Sequence, residues 1–151
     1  MVKFKRQKIT KDAAGKKHGF RSGFEENIIK ALEDAGLEPN YESQKFEYTI
    51  PESKHIYTPE FPVSPHIVIE TKGRWILEDR KKMLLIMKQY PHIEFRMLFY
   101  NANQKIKKGS KTSYAMWCDK HNIKWANKII PLEWYRDIVD DLAGVYKVDE
   151  S

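Results

Sequence analysis

Glu60 and the run Val68-Ile69-Glu70-Thr71-Lys72 hold the residue types from which a phosphodiester-cleaving metal site is built: carboxylates and an ammonium, close together in the chain. In an extended segment side chains alternate between faces, so Glu70 and Lys72 point one way while Ile67, Ile69 and Thr71 point the other. The apolar start of the segment predicts burial. A buried Glu and Lys need partners, because an unpaired charge in a medium of low dielectric is strongly disfavoured. A divalent cation and a phosphate would satisfy both. Hard carboxylate oxygens hold Mg²⁺, and the ammonium steadies a nucleophilic water or the charge of a developing phosphorane. The plain alternative is a solvated salt bridge on a half-exposed strand, since Glu-x-Lys is a common string and such a pair contributes little. Context weighs against it. Glu60 sits in Tyr57-Thr58-Pro59-Glu60-Phe61, where Pro59 fixes its own backbone and biases Thr58 away from helix, so a second acid opens a short extended piece beside the strand.

The elements that must position these groups follow from periodicity. Phe24, Ile28, Leu32 and Ala35 recur at helical spacing, with a stop at Gly36. Ser22-Gly23-Phe24-Glu25 reads as a capping box, which gives Glu25 two readings: it reaches back to cap the helix start, or it is drawn toward a metal. On the residues alone the cap is the better one. Phe46, Tyr48 and Ile50 alternate with polar residues and predict a strand over 45–50 that ends at Pro51. Pro51, Pro59, Pro62 and Pro65 then impose extended turns and short strands. A strand over 66–72 ends at Gly73. Residues 79–90 predict a helix, and Ile93, Phe95, Met97 and Phe99 an alternating strand. Thr112 or Ser113 caps a helix through His121, and residues 131–135 read as a short helical turn. The order argues an α/β fold with a central mixed sheet flanked by helices.

With 151 residues, 41% hydrophobic and 13% aromatic, the chain has material for one well-packed domain. No stretch approaches the roughly 18 to 20 apolar residues of a membrane span, and Met1-Val2-Lys3-Phe4-Lys5-Arg6 leads into charge rather than an apolar signal core, so a soluble, unexported protein without membrane contact is expected. Cys118 is the single cysteine, which leaves no intrachain disulfide and no Cys-rich zinc site and fits a reducing cytoplasm. Its expected role is packing, as is that of Met83, Met87, Trp117, Trp125 and Trp134. The histidines, His18, His55, His66, His92 and His121, show no paired spacing for zinc.

The net charge of +6 is unevenly spread. Residues 1–19 carry Lys3, Lys5, Arg6, Lys8, Lys11, Lys16 and Lys17 against Asp12 alone, lack apolar periodicity, and form a flexible basic arm suited to a polyanion; His18 there could touch a phosphate. Lys105, Lys107, Lys108 and Lys111 surround Gly109-Ser110 as a second cluster able to track phosphates. Asp137, Asp140, Asp141, Asp149 and Glu150 make residues 136–151 an acidic tail. Either basic cluster alone reads as a solvating charge run. Beside a candidate phosphodiesterase site, nucleic acid becomes the better reading.

Several strings taken in order resemble one family: Phe20-Arg21-Ser22-Gly23-Phe24-Glu25, Tyr57-Thr58-Pro59-Glu60-Phe61, Val68-Ile69-Glu70-Thr71-Lys72-Gly73-Arg74-Trp75, Asp79-Arg80-Lys81-Lys82, and Lys108-Gly109-Ser110-Lys111-Thr112-Ser113-Tyr114. The ordered set resembles bacteriophage endonuclease I, a family of Holliday-junction resolving enzymes, from about Phe20 to Trp134. The resemblance implies a nuclease domain over 20–135 with a restriction-endonuclease-like core, in a domain-swapped homodimer bridged by residues 46–51. It implies a structure-selective endodeoxyribonuclease that nicks four-way and branched DNA in pairs, leaves 5′-phosphates, uses Mg²⁺ or Mn²⁺ at two ions per site and no nucleotide cofactor, and works in the cytoplasm of an infected bacterial host. Glu25, Glu60, Glu70 and Lys72 would then be catalytic, which reverses the cap reading of Glu25. Glu60, Glu70 and the Thr71 carbonyl would ligate one metal, and Glu25 with Glu60 a second. Lys16, Lys17, His18, Arg21, Arg74, Lys105, Lys107, Lys108 and Lys111 are the expected DNA contacts. One departure stands out: the family has aspartate where this chain has Glu60. Mg²⁺ holds its ligands near about 2.1 Å and tolerates little error, so the alternative is a junction-binding form with weakened or absent cleavage. The acidic tail also departs from the basic end expected of the family.

Overall fold

A computed structural model describes residues 23–39, 41–50 and 53–148. Along the chain run α1 (Gly23–Asp34), β1 (Phe46–Ile50), β2 (Ser53–Tyr57), β3 (Phe61–Pro62), β4 (Ile67–Lys72), α2 (Leu77–Gln89), β5 (Glu94–Phe99), α3 (Tyr114–Lys120), β6 (Trp125–Asn127) and α4 (Leu132–Leu142). The sheet has four strands in the order β3-β4-β5-β6, with β3 antiparallel to β4 and the others parallel. It is therefore the mixed sheet expected. The connections explain the parallel part: β4 leads through α2 to β5, and β5 through α3 to β6, as parallel neighbours require.

Both faces of the sheet are covered, and the strand period sorts the apolar residues between them. Val68, Phe95, Met97 and Phe99 pack with Met83 and Ile86 of α2 and with Tyr114, Ala115 and Cys118 of α3. Ile67, Ile69 and Leu98 pack with Ile28, Ile29 and Leu32 of α1 and with Trp134 and Ile138 of α4. Five of the six residues of β4 and of β5 are consequently buried. The alternation expected over 93–99 gives way to a run buried on both sides, as in parallel sheets with helices on each face. Arg96, at a position that alternation assigns to solvent, is fully buried.

Three boundaries move. The helix expected from Asp79 starts at Leu77. Trp125–Asn127, not read as a strand, pairs with β5 because its Ala126 fills the α1/α4 side of the core. The short turn at 131–135 is the start of an 11-residue helix, so the boundary at residue 136 falls inside α4. Ile138 is fully buried, and Asp141 accepts hydrogen bonds from the His66 backbone N–H at 2.7 Å and contacts His66 Nδ1 at 2.9 Å. Ser113 caps α3 as expected, accepting the Met116 N–H at 3.1 Å. Cys118 is buried in the core, and burial pushes its thiol up to about 12.

β1 and β2 form a separate antiparallel hairpin with Phe46 opposite Tyr57. The end of α2 fastens it. The Gln89 side chain accepts the Thr49 N–H and donates to the Thr49 carbonyl, each at 2.7 Å, and the Tyr90 hydroxyl donates to the Glu47 carbonyl.

Candidate active site

β3 runs beside the middle of β4, with Phe61 opposite Ile69, so Glu60 reaches the carboxyl end of β4 next to Glu70 and Thr71. Glu25, Glu60, Glu70 and Thr71 are all buried, and Lys72 is half-buried. Glu70 Oε1 accepts the Glu60 backbone N–H at 3.1 Å and the hydroxyl of Tyr57. Glu60 Oε2 accepts the Thr71 backbone N–H at 3.2 Å and the Thr71 hydroxyl. Glu25 Oε2 accepts the hydroxyl of Tyr41 across the fold. The Ser22 half of the capping box lies outside the described residues.

The acids stand on the two sides of one strand. Thr71 faces the α1 side with Ile67 and Ile69, while Glu70 follows Val68 toward the side of Tyr57. Glu60, at the sheet edge, is tied to both residues. Among the described residues no three Asp, Glu, His or Cys side chains converge into a group that could hold a metal. Thr71 engages Glu60 and Tyr57 engages Glu70. The donor chemistry nevertheless suits a hard divalent cation: carboxylate oxygens and a strand carbonyl, with anionic charge brought together in a buried place.

That crowding has a measurable consequence at Glu60. Burial pushes its carboxyl up; the Thr71 hydroxyl acts against the rise, the charge of Glu25 adds to it and Lys72 opposes it, and the result is about 7. Because the folded value lies above the ordinary 4.5, the folded chain holds a proton that the unfolded chain has released. Glu60 thus costs nothing below pH 4.5, and its destabilising effect grows as pH rises to about 7 and is constant above. Glu60→Gln keeps an oxygen for the Thr71 N–H and removes the charge. In EDTA at pH 8 it is expected to be more stable to denaturant than the natural sequence by on the order of 3 kcal/mol. The gain should disappear near pH 4.5, and equal denaturation midpoints at pH 8 would contradict this account.

The segment leaving β4 is clamped by aromatic packing. Trp75 is fully buried, donates its backbone N–H to the Tyr114 hydroxyl at 3.0 Å, and packs edge-on to Trp117 with centroids 4.8 Å apart. Arg80, buried in α2, donates to the carbonyls of Trp75 at 2.7 Å and Ile106 at 3.3 Å. These bonds bring Arg74 and the loop carrying Lys105, Lys107 and Lys108 to one cleft of about 590 Å³. Gly109 permits the turn at its tip with φ +81°, a conformation a side chain would strain. Lys111 is exposed on the returning limb, where its carbonyl accepts the Lys105 ammonium at 3.2 Å. Lys16, Lys17, His18 and Arg21 lie outside the described residues.

Sequence reasoning missed the tyrosines that hold the acids, Tyr41 and Tyr57. Burial, together with Glu25, pushes the Tyr41 hydroxyl far above its ordinary range, so it stays a donor. It also missed the cluster around Arg96, which pairs with Asp137 at 2.8 Å, bonds the Tyr146 hydroxyl at 2.9 Å and contacts Glu94. Burial alone would lower the Arg96 pKa, but Glu94 and Asp137 outweigh it and keep the guanidinium charged. The signal available was a lone Arg between Phe95 and Met97, which only burial on both faces makes informative.

Among the described residues no helix is long and apolar enough to cross a membrane. Comparison with known proteins returns the family described as Phage endonuclease I, matched over residues 5–147. The chain is 48% identical over 118 residues to Endonuclease I of Escherichia phage T7, covering 78% of this chain and 79% of that protein. It is 49% identical over 113 residues to Endodeoxyribonuclease 1 of Enterobacteria phage T3, covering 75% and 74%.

Proposed function

The chain belongs to the phage endonuclease I family, and from that premise we propose that it is a metal-dependent endodeoxyribonuclease that binds four-way and branched DNA and resolves it by paired nicks leaving 5′-phosphates. The observation that carries this reading is the gathering of Glu60, Glu70 and Lys72 at the carboxyl end of β4, from which the chain runs on to Arg74 in a cleft shared with Lys105, Lys107 and Lys108. Acids and ammonium supply the chemistry; the cleft supplies a path for phosphates. Junction selectivity then comes from arm geometry and phosphate contacts, since a branch is defined by shape rather than by base sequence.

Glu60, Glu70 and the Thr71 carbonyl would hold one Mg²⁺, or Mn²⁺ in its place, and Glu25 with Glu60 would support a second. Bound there, the ion supplies Lewis-acid stabilisation of phosphoryl charge and lowers the pKa of water. Lys72 places its ammonium where phosphorane charge develops and orients the attacking water. Tyr57 and the Glu60 N–H fix the orientation of Glu70. Thr71 fixes that of Glu60, and this contact favours a second reading, in which glutamate at this position weakens cleavage and leaves a junction-binding protein.

The active unit in this reading is a homodimer in the cytoplasm of an infected bacterial host, with the basic arm of residues 1–19 and Arg21 as further DNA contacts. In the single chain α1 packs on its own sheet through Ile28, Ile29 and Leu32. Exchange of α1 between two chains, bridged by residues 46–51 on the restriction-endonuclease-like core, would preserve those contacts in each half.

A labelled four-way junction and a linear duplex of the same sequence, each incubated with Mg²⁺, test the proposal. Paired nicks in the junction and an intact duplex are expected, with faster cleavage by Glu60→Asp. A junction bound but uncut by the natural sequence and restored by Glu60→Asp selects the second reading. Equal cutting of both DNAs would remove junction selectivity.

A further inference from the structure

β4, β5 and β6 are mutually parallel, so their carboxyl ends share one edge of the sheet, the place where open α/β sheets receive ligands. Three residues stand there in a row. Lys72 ends β4; Tyr100 follows β5 and donates its backbone N–H to the Lys72 carbonyl at 3.0 Å; Lys128 follows β6 and donates its N–H to the Phe99 carbonyl at 2.7 Å. The Lys128 ammonium lies over the Tyr100 ring, 5.5 Å from its centroid, yet the tyrosine is 60% exposed. Phe24, the neighbour of Glu25 on α1, meets the same ring edge-on at 5.9 Å. Phe24, Asn27, Tyr100, Lys128, Ile129 and Tyr135 line a cleft of about 320 Å³.

Lys128 is held there against its backbone preference. It has φ +66° and stands at the centre of a three-residue turn closed by the Ile129 N–H on the Asn127 carbonyl at 2.8 Å. That sign of φ is the rarer and more strained form of such a turn, and glycine is the residue it suits. A strained, charged, exposed residue beside candidate catalytic groups points to a function rather than to packing.

We propose that Tyr100 and Lys128 form a nucleotide subsite next to the cut. The exposed tyrosine face takes a base freed from the duplex stack at the branch, and the Lys128 ammonium takes the adjoining phosphate. This rests on the endonuclease reading above. An aromatic face accepts any base, so such a subsite adds affinity for an unstacked nucleotide without asking for a sequence. A cation in contact with an exposed ring matches the alternation of base and phosphate along a strand rather than the apolar surface of a protein partner.

Junction binding in EDTA, followed by anisotropy over a range of salt, separates the two contributions without relying on cleavage. Tyr100→Leu keeps bulk and removes the ring face; it should weaken binding about 5- to 100-fold with an unchanged salt slope, and Tyr100→Trp should restore it. Lys128→Gly removes the charge and suits the turn. Its thermal midpoint should not fall, while its log-affinity against log-salt slope becomes shallower by about 0.9. Wild-type affinity and slope in both variants would overturn the subsite and leave the endonuclease reading standing. A natural protein that neither binds nor cuts the junction would remove both.

Discussion

Lys72→Ala is expected to leave four-way junctions uncut while binding them within about tenfold of the natural protein, a difference of roughly 1.4 kcal/mol. Lys72 stands half-buried at the end of β4, its carbonyl fixed by the Tyr100 N–H and its charge felt by Glu60. An ammonium in that place gains most when negative charge accumulates on the phosphoryl oxygens, which happens in the transition state and not in the bound substrate. The ground state loses one phosphate contact among many, since Arg74, Lys105, Lys107 and Lys108 remain in the neighbouring cleft. Single-turnover cleavage with Mg²⁺ beside binding in EDTA reads the two quantities separately. A collapse of binding would make Lys72 chiefly a ground-state contact.

The second expectation is all-or-none. If α1 is exchanged between chains, each site takes Glu25 from one subunit and Glu60, Glu70 and Lys72 from the other. A heterodimer of Glu25→Ala with Lys72→Ala then collects both lesions in one site and none in the other, and it should nick each junction once. If α1 serves its own chain, as it packs in the single chain, each site carries one lesion and no nick appears. Both parent homodimers should be inactive in either case. A purified, non-exchanging heterodimer without activity would end the exchange proposal while leaving Glu25 in the site.

What could be read from the sequence was whatever a strand or helix period enforces locally. The two faces of β4 follow from Ile67, Val68 and Ile69 alone, and the approach of Glu60 follows from the prolines that keep the preceding stretch extended. Partners supplied from far along the chain were invisible. Tyr41 meets Glu25 and Tyr57 meets Glu70 only because packing folds their segments onto the site. Arg96 looked like a solvent-facing position until α4, read as a single turn, proved long enough to bring Asp137 over it. Arg74 and the Lys105–Lys108 loop were recognised separately, whereas the Arg80 bonds that gather them use the carbonyls of Trp75 and Ile106, and the second of these comes from far along the chain.

The bonds between Gln89 and Thr49 bear on how this molecule avoids its own kind. A side-chain amide turns an N–H and its C=O to the same side, as one residue of a strand edge does, so Gln89 meets Thr49 on the outer margin of β1 as a neighbouring strand would, and Tyr90 takes the Glu47 carbonyl. In the larger sheet the margins are strands of two and three residues, too short to template much. β1 and β2 of the hairpin have five-residue margins, longer invitations to strand addition, and on that of β1 a glutamine from the end of a helix occupies the Thr49 position. Part of this edge is thus guarded by a residue remote from any chemistry, on a surface where a change to leucine would look harmless.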